Sequence, residues 1–244
     1  MSVSPSRLLF FALLPSLGAT TQPALAQKKG RGEPTPAYTG PQKLQPLYGG
    51  LSPAQAQALV GATMLADIDR SFASRPEASR FFSSKGFEYL AENQPDTAAT
   101  RFNLAYALDP QNAATYRGLA VLLSRRPGSS PAAVQGLLTQ GLAVAPTDAA
   151  LLADAASNTL TLYEQSKKKK DLQLAADYAQ RATAADSSSY AAWQALAHVR
   201  YNQENYAEAW QAIHKAQNLN LASLDFHFLS DLLAKMPDPE GKFK

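Results

Sequence analysis

Cysteine is absent from the 244 residues of this sequence, which excludes disulfides and a cysteine-linked lipid anchor. No Asn-x-Ser/Thr acceptor for N-glycosylation occurs either. The formal net charge is only +3, so the chain as a whole has no strong charge of one sign. Without cross-links the fold must be stabilised by its apolar core, and a chain of this length can bury one.

Motifs for catalysis, cofactors and metals are also missing. The three histidines, His198, His214 and His227, form no i, i+4 pair with a nearby acidic ligand, which is the usual zinc spacing on a helix. The sequence has no Gly-x-Ser-x-Gly elbow, no phosphate-binding glycine loop and no dinucleotide fingerprint. We therefore expect a binding protein without cofactors or metals, and enzyme activity is the weaker hypothesis.

Residues 1–26 have the pattern of a secretory signal peptide. Arg7 precedes an apolar run at 8–19, and Ala24-Leu25-Ala26 is typical of a signal cleavage site. The run is too short for a permanent transmembrane helix, so we expect cleavage before Gln27 and no stable membrane span. The alternative is a retained helix that is buried or anchors the chain. With cysteines and glycosylation sites missing, the pattern predicts export from a bacterial cytoplasm, to the periplasm or the medium.

Residues 27–51 are rich in proline and glycine and lack apolar periodicity, so we expect a disordered or extended tether. Its charged residues sum to +3: Lys28, Lys29, Arg31, Lys43 and Glu33. Because the signal carries one more positive charge, the folded part is left near −1, which argues against nucleic-acid binding. The tether and the lysine run 167–170 offer an alternative function, binding of an anionic envelope polymer, unless both are simply solvated.

The stretch 79–112 predicts two amphipathic helices joined by a polar turn at 92–96. Large and small apolar residues stand in it at offsets of 4, 8, 11, 20, 24, 27 and 32: Phe82, Gly86, Tyr89, Ala98, Phe102, Ala105 and Pro110. Small residues let two helices approach closely, so we expect Gly86 to face Ala98 across the hairpin. With that packing, Gly86→Ala would be neutral or stabilising.

The pattern recurs at 113–148, 149–189 and 190–223. The last copy has Trp193, Ala197 and Ile213 where the first has Phe82, Gly86 and Phe102. The copy at 149–189 contains seven extra residues. Seven residues are about two helical turns, so both of its helices can lengthen without changing face.

This pattern resembles the tetratricopeptide repeat, a helix–turn–helix unit of about 34 residues. The resemblance implies an all-α fold, a right-handed superhelical solenoid of antiparallel helix pairs. The copy at 190–223 departs from it with Arg200 at the tyrosine position and Leu221 at the proline position. Stacked repeats need covering helices. We expect these at 52–75, as one helix over 53–73, and at 224–236 with Phe226 inward, before a frayed tail.

The resemblance also implies binding in a concave groove. In the family a stripe on each first helix faces that groove, and the residues on or beside it here are Arg80, Ser83, Phe87, Leu90, Arg117, Val121, Arg125, Gln194, His198 and Tyr201. Ser83 and Phe87 replace the lysine and asparagine of the family's carboxylate clamp, which makes that subclass a poor match. We expect a scaffold that binds a peptide or partner protein through a segment with hydrophobic and acidic residues. The alternative is that Phe87 and Val121 pack against helix 53–73, which then fills the groove.

Overall fold

The structure is a computed structural model that describes residues 40–220 and 224–244. The expected signal peptide, residues 27–39 of the expected tether, and Leu221 lie outside these ranges. The described ranges contain one 3₁₀ turn, twelve helices and no strand. In chain order the helices are α1 Leu47–Gly50, α2 Pro53–Val60, α3 Ala62–Ser71, α4 Arg75–Ala91, α5 Pro95–Leu108, α6 Ala113–Ser124, α7 Pro131–Val144, α8 Ala149–Ser166, α9 Lys169–Ala185, α10 Tyr190–Asn202, α11 Tyr206–Leu219 and α12 Phe226–Lys235.

Consecutive helices from α4 to α11 pack as pairs, α4 with α5, α6 with α7, α8 with α9, and α10 with α11. A turn of a few residues joins the members of a pair, so they run antiparallel. Neighbouring pairs also contact each other, α4 and α5 packing on α6, α7 on α8, and α8 and α9 on α10. The two helices α8 and α9 have 18 and 17 residues against 12 and 14 in α6 and α7, as the insertion predicted. The fold is an all-α helical repeat.

The ring of Phe102 determines how α4, α5 and α6 meet. Phe102 is fully buried, and a Cβ built on Gly86 would lie 2.6 Å from Cε1 of its ring. The expectation that Gly86 faces Ala98 is therefore wrong, because Phe102, one turn further along α5, occupies the space. A Cβ on Gly118 of α6 would meet the same ring even more closely. Two glycines thus let three helices pack around one aromatic side chain.

The single helix expected over 53–73 is two helices in the structure. Gly61 separates α2 from α3 with φ of 90° and ψ of 149°, a backbone conformation that residues with a side chain rarely adopt. Both helices lie on the first pair, α2 against α5 and α3 against α4. The first pair also begins earlier than expected, at Arg75, because the Ser74 hydroxyl caps α4 and Pro76 fits its first turn.

Residues 40–51 form a strap that packs on α5. The expectation that this part of the tether is disordered is therefore wrong. Tyr48 is fully buried, and Asn103 Nδ2 donates to the carbonyl oxygens of Lys43 and Gln45, both at 2.8 Å. Tyr106 Oη donates to the Leu51 carbonyl at 2.8 Å. Burial of one aromatic ring and bonds to three backbone carbonyls order a segment whose composition alone predicted disorder.

The C-terminal helix α12 packs on the last pair, but Phe226 does not face inward as expected. Phe226 is 65 % exposed, whereas Phe228, Leu229 and Leu232 are buried. The tail after α12 is not frayed, because Asp238 accepts bonds from three backbone amides, those of Glu240, Lys242 and Phe243, at 2.8 to 2.9 Å. Its Phe243 ring stacks against Trp210 of α11 at 5.9 Å between centroids.

Candidate functional site

An open cleft of about 240 Å³ lies between α6, α7 and α8. Its lining residues come from all three helices: Ala120, Val121, Ser124, Val134, Leu138, Asp154, Ser157, Asn158 and Thr161. The floor is apolar, since Ala120, Val134 and Leu138 are buried members of the core. The rim is polar and comes mainly from α8. The cleft thus joins a hydrophobic floor to a hydrogen-bonding edge.

An ion pair joins the first helices of two successive pairs beside this cleft. Arg117 Nε of α6 donates to Asp154 Oδ2 of α8 at 2.8 Å, and about a third of each side chain is exposed. The Arg117 guanidinium also lies 5.6 Å from the centroid of the Phe87 ring. Burial raises the pKa of Asp154, and the charge of Arg117 offsets only part of that effect. The pair therefore fixes the spacing of α6 and α8, and Arg117 is not a free cation of the groove.

The polar side chains of the rim are held by bonds to nearby helices. Asn158 Nδ2 donates to the Pro131 carbonyl at 2.9 Å and to Gln135 Oε1 at 2.8 Å, which ties α8 to α7. The hydroxyls donate to backbone carbonyls of their own helices, Ser124 to Val121, Ser157 to Ala153 and Thr161 to Ser157. Rigid side chains of this kind give a preorganised surface.

The first four predicted groove residues lie on α4 and only partly face solvent. Arg80 is exposed, while Ser83 and Leu90 are buried. Ser83 accepts a bond from Asn112 Nδ2 at 3.1 Å and so joins the contact between the first two pairs. Phe87 is half-buried, with its ring 5.0 Å from that of Phe102. Two of these four expected groove residues, Ser83 and Leu90, are therefore not available at the surface.

Val121 and Arg125 lie on or just after α6. Val121 lines the open cleft, and Arg125 is exposed at the end of that helix. The expected alternative, that helix 53–73 fills the groove at Phe87 and Val121, does not describe this structure. The segment that replaces it packs on α5 and α4, and Phe87 contacts Phe102 and Arg117 instead.

The last three predicted residues, Gln194, His198 and Tyr201, lie half-buried on α10. The Phe228 ring of α12 stacks on His198 at 3.8 Å between centroids and meets Tyr201 edge-on at 5.4 Å. Burial lowers the pKa of His198, and the nearby charge of Asp225 opposes that shift more weakly. At this end α12 covers His198 and Tyr201, so the structure does not bring them together with Val121 in one open groove.

The sequence analysis missed the rim of the cleft on α8. Asp154, Asn158 and Thr161 are spaced by four and three residues, so they share one face of a helix that is otherwise mostly alanine and leucine. That polar stripe, and the opposite charges of Asp154 and Arg117, were the signals that could have identified it.

The remaining candidate groups lie apart from the cleft. Lys167, Lys168, Lys169 and Lys170 are all exposed at the turn between α8 and α9. Binding of an anionic envelope polymer there stays a prediction. Across residues 40–220 and 224–244 no cluster of His, Asp and Glu suited to a metal ion is found, and no described helix has the length and apolarity to span a membrane.

No protein-family model and no curated protein matches this sequence. Among solved structures, the chain is similar to PilF of Pseudomonas aeruginosa, with a TM-score of 0.53 and 22% identity over 66% of this chain and 70% of that one. MamA of Desulfovibrio magneticus gives a TM-score of 0.49 at 13% identity, over 67% and 88% of the two chains. YrrB, described as a TPR protein with an unusual peptide-binding site, gives a TM-score of 0.45 at 14% identity, over 65% of this chain and 87% of that one. The chain has the fold of tetratricopeptide-repeat proteins.

Proposed function

We propose that this protein is an exported scaffold that binds a peptide segment of a partner protein in the cleft between α6, α7 and α8. The observation that carries the proposal is the cleft itself, with an apolar floor beside a polar rim. Recognition of extended or helical segments uses this combination, since apolar anchors supply affinity and polar groups fix orientation.

The size of the cleft favours a peptide side chain over a small-molecule ligand. Its volume of about 240 Å³ is below the ~300–1,000 Å³ typical of sites for drug-sized molecules. It is open to solvent, and the exposed residues Ser124 and Thr161 belong to its lining. A chain lying across α6 and α8 could insert one apolar side chain and remain otherwise at the surface.

The binding site can be tested by filling the cleft. A phage-displayed library of random peptides is selected on the full chain, and the selected peptides are synthesised. We expect Thr161→Trp to abolish their binding in calorimetry, because Thr161 is exposed on the rim and the indole would occupy the cleft. Thr139→Trp, the same substitution on an exposed position of α7 outside the lining, is the matched control and should bind normally. Equal binding by both variants would contradict the proposal.

Export is the other part of the proposal, and it rests on the signal-like pattern of residues 1–26. Expression of the full chain in a bacterium and intact mass measurement of the extracytoplasmic product should give a chain that begins at Gln27. A product that keeps Arg7 and stays in the cytoplasm would rule export out without affecting the binding experiment.

A further inference from the structure

We propose that the cleft selects segments that place a lysine or arginine side chain beside an apolar anchor. The inference rests on the proposed function and assigns the chemistry of its ligand. It reverses the expectation from sequence, which was a ligand with acidic residues. The rim of the cleft leaves acceptor groups free, because its donors are already bonded within the protein.

The hydroxyl groups of the rim already donate their hydrogens to acceptors within the protein. Ser124 Oγ, Ser157 Oγ and Thr161 Oγ1 donate to backbone carbonyls at 2.9, 3.1 and 3.2 Å. A hydroxyl has one donor and two acceptor lone pairs. What these three residues offer a ligand is therefore acceptor oxygens.

Asn158 offers an acceptor for the same reason. Both hydrogens of its amide nitrogen are used, one by the Pro131 carbonyl and one by Gln135 Oε1. A backbone carbonyl can only accept, so Pro131 determines which end of the amide is the nitrogen. The free polar atom of Asn158 is its Oδ1, again an acceptor.

Asp154 supplies the negative charge of the cleft. It is the one ionisable residue among the nine that line the cleft. Arg117 bonds only to Oδ2, and the structure gives Oδ1 no donor among the residues it describes. The guanidinium of Arg117 lies against Phe87 and is not part of the cleft lining. A ligand therefore meets the carboxylate and not the cation.

The raised pKa of the Asp154 carboxyl agrees with a site that can accept a cation from a ligand. Burial raises its pKa because the bond and charge of Arg117 compensate incompletely for the loss of water. A ligand ammonium or guanidinium near Oδ1 would supply the missing compensation.

Lysine and arginine also match the shape of the site. Their side chains carry a charged donor group on an apolar stem, which can cross the floor formed by Ala120, Val134 and Leu138. Arginine has five N–H donors and lysine three, so either can bond the carboxylate and a neighbouring acceptor oxygen together. A glutamate or aspartate side chain in the same place would meet only acceptor groups of the rim, which cannot donate a hydrogen bond to its carboxylate.

The experiment uses the peptides selected on the full chain. Those that bind should be enriched in lysine or arginine next to a large apolar residue. Replacing that basic residue with glutamine should weaken binding to the parent protein by about tenfold or more. On Asp154→Asn the same replacement should have little effect, because its charged partner is gone. Glu164→Gln makes the same chemical change at an exposed position of α8 outside the lining, and it should behave as the parent.

Three outcomes are decisive. Basic enrichment that is coupled to Asp154 supports the inference. Peptides that Thr161→Trp excludes but that are acidic, or show no charge preference, would overturn it and leave the proposed function standing. Peptides that still bind Thr161→Trp would overturn both.

Discussion

The ring of Phe102 on α5 lies against the backbone of Gly118 on α6 and also against that of Gly86 on α4. A single aromatic side chain therefore sets the distance between the first helices of two successive pairs. Because cores are packed without spare volume, even one methyl group at either glycine must displace the ring. The Phe87 ring also packs against Phe102, and the Arg117 guanidinium lies over Phe87.

Adding a methyl group at either glycine should destabilise the fold. Gly118→Ala and Gly86→Ala should each lower the free energy of unfolding by about 1–3 kcal/mol through overpacking against Phe102. For Gly86 this reverses the neutral or stabilising effect that helix propensity alone predicts. Gly118→Ala should have the larger effect, because its Cβ would lie closer to the ring. Gly136→Ala is the matched control. It lies on an exposed position of α7 with no atom within 4 Å of its Cβ, and it should gain about 0.5–1 kcal/mol. Chemical denaturation measures all three, and a neutral Gly118→Ala would contradict the packing described.

Release of the strap should follow loss of the Asn103 amide. Asn103→Leu leaves the Lys43 carbonyl without a donor and the Gln45 carbonyl with only its bond from the Tyr48 amide, which should cost about 1–3 kcal/mol. Hydrogen exchange measured by mass spectrometry should then quicken over residues 40–51. Tyr106→Phe removes only the bond to Leu51 and keeps the buried ring, so its effect should be smaller. Unchanged protection of the strap in Asn103→Leu would show that other contacts hold it.

Removal of Arg117 should lower the stability of the fold, because the Asp154 carboxylate then has no charged partner. Arg117→Leu leaves Asp154 partly buried without its partner, and we expect a loss of about 1–2 kcal/mol in denaturation. The double variant Arg117→Leu with Asp154→Leu should recover part of that loss, since apolar pairs often replace ion pairs without penalty. Arg70→Leu breaks the more exposed pair with Asp67 and should change stability by no more than about 0.5 kcal/mol. An equal effect of Arg70→Leu and Arg117→Leu would contradict a role in joining α6 to α8.

Stability should fall on mild acidification because of His198. Its pKa in the fold lies below the usual value of 6.5, so below pH 6.5 the unfolded chain takes up a proton more readily than the folded chain. The contribution is complete above pH 6.5 and is lost as the pH falls through the folded pKa. His198→Phe keeps an aromatic ring against Phe228 but does not titrate, so it should reduce the loss of stability between about pH 7.5 and pH 5. An unchanged pH dependence of stability in His198→Phe would contradict this role of His198.

Periodicity in the sequence was sufficient for the paired helices. Apolar spacing predicted successive amphipathic helices, because such spacing depends on helical geometry and not on the partner helix. The ends of the helices were predicted less accurately. Ser74 and Pro76 start α4 earlier than the repeat pattern suggested, and Gly61 interrupts what periodicity alone presented as one helix.

The amino-acid sequence by itself determined the all-α repeat, the pairing of helices and the lengthening of α8 and α9, since these follow from local spacing. Only the tertiary structure decided which residues meet across pairs. Phe102 lies against Gly86 in place of Ala98, Arg117 is paired with Asp154, and Phe228 covers His198. These contacts join residues about 16 to 37 positions apart, and their geometry depends on how whole helices cross, which no local pattern encodes. For that reason the sequence pattern did not indicate the cleft that lies between α6, α7 and α8.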